Sequence, residues 1–311
     1  MSKECFTKCE ICPRRCHVDR SIGEQGRCRV PMAPRLARAG LHAWEEPCLS
    51  GTRGSGTVFF SGCSLGCVFC QNRAIAGGEI GVEVSVARLV EIFLELEAKG
   101  AHNINLVTPT HYAPLLLEAI PEARQRGLAV PIVYNSSGYE RVETLRALRG
   151  LIDIYLPDFK YADPALAARY AGAPDYPEVA RAALDEMISQ CPEPILDADG
   201  IMTQGVIVRH LMLPGAYRNS HDVVKYLAAY RDRIYVSLMN QYTPMPGIAE
   251  RYPELSEPVR ERDYRRLVAY AVRLGIEQAY VQEGGAVGES FIPAFDLSGV
   301  LSAEVYKKEQ T

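Results

Sequence analysis

The chain has 311 residues, 48% hydrophobic and 23% charged, with 10 cysteines, one tryptophan and a formal net charge of -4. That composition fits one large globular domain with or without a small appendage, and excludes a disordered tail protein, a collagen-like fibre and a secreted mini-scaffold. The cysteines are too sparse for a disulfide framework and too clustered for incidental core filling, so metal ligation is the first reading. No stretch approaches the roughly 20 apolar residues of a membrane span, and Met1-Ser2-Lys3-Glu4-Cys5 lacks the apolar core of a signal peptide. A cytosolic protein is expected, where reducing conditions keep thiols available as ligands.

Residues 1–40 hold nine Lys or Arg against four Asp or Glu, a net of +5 that leaves -9 on the rest. A basic, cysteine-rich module over residues 1–49 is therefore expected to precede an acidic body over 50–290, with a tail over 291–311. Within the module, Cys9-x2-Cys12-x3-Cys16-x11-Cys28 supplies four thiols, enough for a closed site. A zinc knuckle fails, because its template demands cysteine where Ile22 stands. A four-cysteine zinc module and an auxiliary iron-sulfur cluster both remain, and zinc is favoured because such zinc sites are common structural units. Arg14, Arg15, Arg20, Arg27 and Arg29 would steer an acidic flavodoxin or ferredoxin toward this end. Docking of RNA is the weaker reading, since the region has few aromatics for stacking.

Ser50 to Gly56 is turn-rich and reads as a linker. It is not a phosphate-binding loop, because its glycines precede the next apolar run and no Gly-Lys-Ser/Thr follows. Beyond it, candidate strands alternate with helical patterns. The strands are Thr57 to Gly62, Asn103 to Thr108, Pro131 to Asn135, Ile152 to Leu156, Gly205 to Leu211 and Ile234 to Met239, with a weaker seventh from Gln278 to Gln282. The helices are Val86 to Lys99 after an N-cap at Ser85, Pro114 to Arg126, Val179 to Cys191, Asp222 to Tyr230 and Pro258 to Leu274. This alternation predicts an α/β protein with a parallel sheet, either doubly wound or a partial barrel. Both place the active site at the carboxyl ends of the strands.

Cys63-x3-Cys67-x2-Cys70 falls directly after the first of these strands. Three thiolates in one loop suit an iron-sulfur cube with one iron left open better than a structural zinc site, which closes with four ligands. The spacing, the aromatic Phe69 before the last cysteine and the placement after strand one together resemble the radical S-adenosylmethionine (SAM) superfamily. The resemblance runs through nearly the whole chain to the group related to pyruvate formate-lyase activating enzymes. It is carried by Cys70-Gln71-Asn72, Asn103 to His111, Tyr134 to Tyr139, Asp153 to Tyr161 and Arg209 to Gly215.

Such a resemblance implies a partial (β/α)6 radical SAM barrel holding a 4Fe-4S cluster on Cys63, Cys67 and Cys70. It further implies S-adenosyl-L-methionine bound to the open iron and cleaved reductively to methionine and a hydrogen-abstracting 5′-deoxyadenosyl radical. Val58-Phe59-Phe60 would help keep that chemistry dry, and Phe69 would either cover the adenine or pack beneath the cluster. The superfamily's Gly-Gly-Glu is missing at the end of strand two, so Thr108, Thr110 or His111 would have to receive the SAM amino group. The literal Gly77-Gly78-Glu79 comes too early in the chain and reads as a decoy.

Asn135 and Ser136 end strand three and suit SAM polar groups. Asp158 and Lys160, two apart, point to one face of an extended chain, and the resemblance makes Lys160 a partner for the SAM carboxylate, oriented by Asp158. Arg209 and His210 lie on opposite faces by the same alternation, and Arg209 is expected to point inward. Gln241 would face substrate, and Tyr242 would either do so or pack on the rim. The resemblance implies activation of a partner glycyl radical enzyme, with another peptide, an RNA or a small metabolite as alternative substrates. A noncatalytic metal-binding adaptor is the reading from a different class. Related enzymes with extra clusters carry them after the barrel's cysteine motif, whereas the extra cysteines here precede it.

Overall fold

The computed structural model describes residues 3–282 and 293–301. Its strands are β1 (Arg35–His42), β2 (Ser55–Phe60), β3 (Val82–Glu83), β4 (Ile104–Val107), β5 (Ile132–Ser136), β6 (Ile154–Pro157), β7 (Ile195–Leu196), β8 (Met202–Leu211), β9 (Tyr235–Met239) and β10 (Ala279–Val281). They form one sheet in the order β10-β9-β8-β6-β5-β4-β2-β1-β3, with β7 paired to β8. All seven expected strands are present, with their ends shifted by no more than three residues.

From β2 to β10 the pairs along this path are parallel. Their spatial order follows the chain without the reversal that marks a doubly wound sheet, so the architecture is an α/β fold with a mostly parallel, barrel-like sheet. Side-chain alternation explains why both faces are apolar. Tyr134, Tyr155, Val206 and Val208 pack toward the helices. Their chain neighbours Val133, Ile154, Leu156 and Ile207 pack on the opposite face with Cys48, Leu49 and Met202.

The crossover helices are Val86–Ala98, Ala113–Gln125, Tyr176–Gln190, Tyr217–Leu227 and Glu261–Arg273. Ser85 caps the first by accepting from the Arg88 N–H at 3.1 Å, which satisfies a donor the helix itself cannot. Two further helices, Val142–Ala147 and Pro164–Ala171, were not anticipated. At six and eight residues they are too short to show a helical period.

The strand β1 was also missed. Its sequence Arg-Leu-Ala-Arg-Ala-Gly-Leu-His has weak strand propensity, and its conformation is set by antiparallel pairing with β2 and β3. The expected boundary near residue 49 therefore falls between two hydrogen-bonded strands of one sheet. Of the expected tail, only residues 293–301 are among the described residues. There Leu297 N donates to Ala37 O at 3.0 Å and Ala39 N to Ser298 O at 2.9 Å.

Arg20 anchors the front of the chain. It is buried, and its guanidinium donates to the carbonyls of Val30, Pro31 and His111. Phe6 and Tyr112 flank the cation, at 4.8 and 5.2 Å to the ring centroids. With its donors filled by backbone oxygens, this positive charge is structural.

Candidate active site

A cavity of about 410 Å³ opens at the carboxyl ends of β2, β4, β5, β6, β8 and β9. Cys63, Cys67 and Cys70 all line it, on the loop that leaves β2. Burial pushes the Cys67 thiol up to about 11, opposed by Lys160 and reinforced by Cys63. Burial pushes Cys70 to about 12, with Cys63 and Cys67 adding repulsion. The raised Cys67 and Cys70 thiols, crowded beside Cys63 on one loop, fit an iron-sulfur cube, whose ferric and ferrous charges stabilise bound thiolates. Leu65 N–H donates to Cys63 Sγ at 3.4 Å, and Tyr161 Oη to Cys67 Sγ at 4.0 Å. Hydrogen bonds to sulfur are one of the means by which a protein sets a cluster's potential.

Lys160 and Asp158 meet at the same cavity, with Nζ 2.6 Å from Oδ2. Burial works against the ammonium, but Asp158 and Cys67 outweigh it and hold the pKa above its ordinary value. The cation is therefore permanently charged beside the cluster loop. Gly138 lets the neighbouring turn approach. Its φ is +72°, and a Cβ there would collide with Asp158 O, so the ends of β5 and β6 close together only around a glycine.

Thr108, Asn135 and Ser136 also line the cavity. Thr108 has φ +60°, an unusual conformation for a β-branched residue and one that clusters at functional sites. Its N–H donates to Asn135 O at 2.8 Å, which fixes the turn. Thr110 and His111, expected beside it, do not line the cavity. The 3-10 turn Thr110–Tyr112 tucks both into the core. Thr110 Oγ1 donates to Glu140 at 2.8 Å, and His111 Nε2 lies 2.8 Å from Ser61 O. Burial and Arg20 drive the His111 pKa down to about 3, so the ring is a neutral core residue.

Phe69 lines the cavity, with its ring edge-on to Tyr161, Tyr170 and Tyr242. It is therefore packed and cavity-facing at once. Arg209 lines the cavity while His210 is turned away and held to Phe159 O at 2.7 Å. Arg209 is already occupied by carboxylates from the connection before β2, donating from Nε to Glu46 at 2.8 Å and from Nη2 to Glu45 and Glu46. Arg209 thus points into the cavity as expected, with its guanidinium held by two carboxylates of the site wall. Gln241 lines the cavity, whereas Tyr242 packs with its hydroxyl on Leu255 O at 2.6 Å. Phe59 and Phe60 contribute apolar wall, and Gly77-Gly78-Glu79 lies outside the lining.

Sequence reasoning missed His42, Trp44, Glu45 and Glu46, which line the same cavity. They reach it because β1 carries the chain back across the sheet edge. The one available signal was Trp44, a lone tryptophan that remains 64% exposed. The cysteine quartet of the amino-terminal module lies outside the cavity lining.

The cavity and its three-thiol loop define a cluster-binding site at the mouth of an α/β barrel. Residues 57–190 match the family model of the Radical SAM superfamily. A protein of Methanocaldococcus jannaschii, MJ0674, itself uncharacterized, is 26% identical over 290 residues, covering 90% of this chain and 79% of the relative. Streptococcus suis SuiB, solved with S-adenosylmethionine bound, aligns with a TM-score of 0.49 and 16% identity, over 72% of this chain and 49% of its own. The chain thus spans about half of that structure's length. A domain of pyruvate-formate lyase-activating enzyme from Bacteroides vulgatus aligns with a TM-score of 0.38 and 13% identity, over 55% of this chain and 92% of the domain. Among the described residues no helix is long and apolar enough to cross a membrane.

Proposed function

We propose that the protein is a radical SAM activating enzyme whose substrate is a glycine in a partner glycyl radical enzyme. A bound 4Fe-4S cluster would supply the low-potential electron for reductive cleavage of SAM and so the means of hydrogen abstraction from substrate. The chain's own residues supply the setting. Cys63, Cys67 and Cys70 would hold the cluster, Lys160 would pair with the SAM carboxylate while oriented by Asp158, and Thr108, Asn135 and Ser136 would receive SAM polar groups. Phe59, Phe60 and Phe69 exclude water from the radical's path.

The observation that carries a polypeptide substrate is the amide ledge at the cavity. Gln71 Nε2 donates to Gln241 O at 3.3 Å, Gln282 Nε2 to Gln241 Oε1 at 2.9 Å, and Asn240 N to Gln282 Oε1 at 2.9 Å. Each of these carboxamides keeps donor or acceptor capacity beyond the bonds that fix the ledge, and that remaining capacity would suit a peptide backbone. Ten free cysteines suit a reducing cytoplasm, and the exposed Arg15 and Arg29 suit a flavodoxin or ferredoxin donor.

Anaerobic reconstitution tests the reading. The wild type is expected to form a brown four-iron cluster and, with dithionite, to convert SAM to 5′-deoxyadenosine, and Cys67→Ala is expected to lose both. Absence of both in the wild type would leave a noncatalytic adaptor. Mixing reduced enzyme with the host's candidate partners should then give a glycyl radical by EPR. SAM cleavage without that signal across all candidates would reassign the substrate to another peptide, an RNA or a small metabolite.

A further inference from the structure

The peptide unit joining Ser64 to Leu65 lies between Cys63 and Cys67 and is hydrogen-bonded at both ends. Its N–H, on Leu65, donates to Cys63 Sγ at 3.4 Å. Its carbonyl, on Ser64, accepts from Arg14 Nε at 2.9 Å. A donor on the carbonyl of a peptide draws electron density from the N–H of the same unit, and so strengthens the bond which that N–H makes. The unit therefore passes the pull of the Arg14 charge to the sulfur of Cys63.

Arg14 is held in place for this. Four of its five donors are filled by backbone oxygens: besides Ser64 O, Nη2 donates to Leu65 O at 3.1 Å and to Ala171 O at 2.8 Å, and Nη1 to Gly172 O at 2.5 Å. Ala171 and Gly172 close the helix Pro164–Ala171, and the carbonyls left over at a helix's carboxyl end attract a cation. The guanidinium also stands over the Tyr139 ring, 5.2 Å from its centroid.

The backbone beside it is fixed as well. Arg15 N donates to Cys12 O at 3.1 Å, and Arg15 has φ +42°, a conformation that persists where its surroundings over-determine it. The cysteine loop is tied to the same helix end from its other side, where Val68 N donates to Tyr170 O at 2.9 Å. Loop and guanidinium thus share one frame.

Arg27 provides a contrast. Its Nη2 donates to Leu65 O at 3.3 Å, the carbonyl of the following peptide unit. Its charge lies against the same loop without acting on the unit that reaches Cys63. A brace needs only carbonyls of the loop, whereas the Ser64 carbonyl couples the brace to a sulfur.

We propose that Arg14 sets the reduction potential of the centre bound by Cys63, Cys67 and Cys70, acting through the Ser64–Leu65 peptide on the Cys63 thiolate. It is a positioning residue. The inference rests on the reading of those three cysteines as ligands of a 4Fe-4S cluster. A cation and a hydrogen bond to sulfur both favour the more negative, reduced state of such a cluster, so Arg14 holds the potential higher than the three thiolates alone would leave it.

The test is an EPR-monitored redox titration of full-length protein reconstituted anaerobically with iron and sulfide, following the signal that responds to SAM. Arg14→Gln is expected to keep the wild-type iron and sulfide content and to lower the reduced-to-oxidised ratio at a given potential about three- to tenfold. That is a downward shift of roughly 30–60 mV, at about 59 mV per decade. Arg14→Lys restores the charge and should recover part of the shift. Arg27→Gln removes an equal charge from the neighbouring unit and should move the potential less than half as far. A wild-type potential in Arg14→Gln, or equal shifts in Arg14→Gln and Arg27→Gln, would overturn the relay while leaving the cluster reading intact. Wild-type protein isotopically labelled at the leucine nitrogens needs no variant to fold. Pulsed EPR of its reduced cluster is expected to show a coupling to labelled nitrogen, and a spectrum without one also overturns the relay. A wild type that takes up no four-iron cluster sinks the cluster reading, and this inference with it.

Discussion

Glu140 lies beneath the cavity rather than in it, and its titration provides a quantitative check on the packing of the strand ends. The side chain is 1% exposed and receives hydrogen bonds from Thr110 Oγ1 at 2.8 Å and Tyr134 Oη at 3.3 Å. Burial raises its pKa to about 7, even though hydrogen bonds from Thr110, Ser136 and Tyr134 pull the other way. An unfolded glutamate titrates near 4.3. The folded chain therefore holds this proton more tightly, and the resulting stabilisation is complete below the unfolded value and lost as pH rises through 7. At about 1.4 kcal/mol per pKa unit, the full loss is about 4 kcal/mol, of which about 1 kcal/mol is already gone at pH 5. Glu140→Gln carries no titrating group and should escape it. The assay is anaerobic urea unfolding of variant and wild type side by side between pH 5 and 8.5, so that other titrations cancel. The two should be within about 1 kcal/mol at pH 5, with the variant ahead by about 2–3 kcal/mol at pH 8.5. A gap that stays constant across that range would show that Glu140 is not held in a dry, carboxyl-favouring pocket.

Lys160→Met should leave the iron content intact while weakening SAM binding about 10- to 100-fold, the worth of one charge-assisted hydrogen bond. Equilibrium dialysis of SAM on the reconstituted protein reads this directly, and unchanged affinity would remove Lys160 from the SAM site. Arg209→Met strands the carboxylates of Glu45 and Glu46, whose side chains are 7% and 5% exposed, at a cost of roughly 3–5 kcal/mol. In the wild type, burial opposes ionisation of Glu46 but Arg209 outweighs it, so the pKa sits below the usual value. That contribution is present above the unfolded glutamate range and fades as pH falls through the folded value. In the variant burial is opposed only by the hydrogen bonds from the backbone and Ser237, so its deficit should grow from pH 5 to pH 8 in thermal melts, and a pH-independent deficit would sink this account.

The parallel strands were legible because each is a short apolar run between turn signals, and the Cys63 to Cys70 loop because ligand spacing is local in sequence. Asp158 and Lys160 were legible for the same reason, being two residues apart on one extended segment. Thr110 and His111 were misplaced because a 3-10 turn rotates them off the strand axis, and nothing in Thr-Pro-Thr-His distinguishes that turn from a continued strand. Glu45 and Glu46 were invisible as partners of Arg209, since more than 160 residues separate them along the chain. Their meeting depends on β1, whose Ala and Gly content hides it from strand propensity. Local chemistry was thus readable, while long-range charge pairing required the topology.

The pairing of residues 297–298 with β1 bears on the order in which the molecule can be completed. Ala37 and Ala39 present backbone groups along the antiparallel margin of the sheet, and those groups are met by Leu297 and Ser298. During synthesis the sheet can assemble from β1 to β10 long before those two residues leave the ribosome. Until then that stretch of β1 is an open strand margin, the kind of surface on which nascent chains pair with one another. Completion of this margin therefore waits on Leu297 and Ser298, and the vulnerable interval lasts as long as translation of the residues between β10 and that pair.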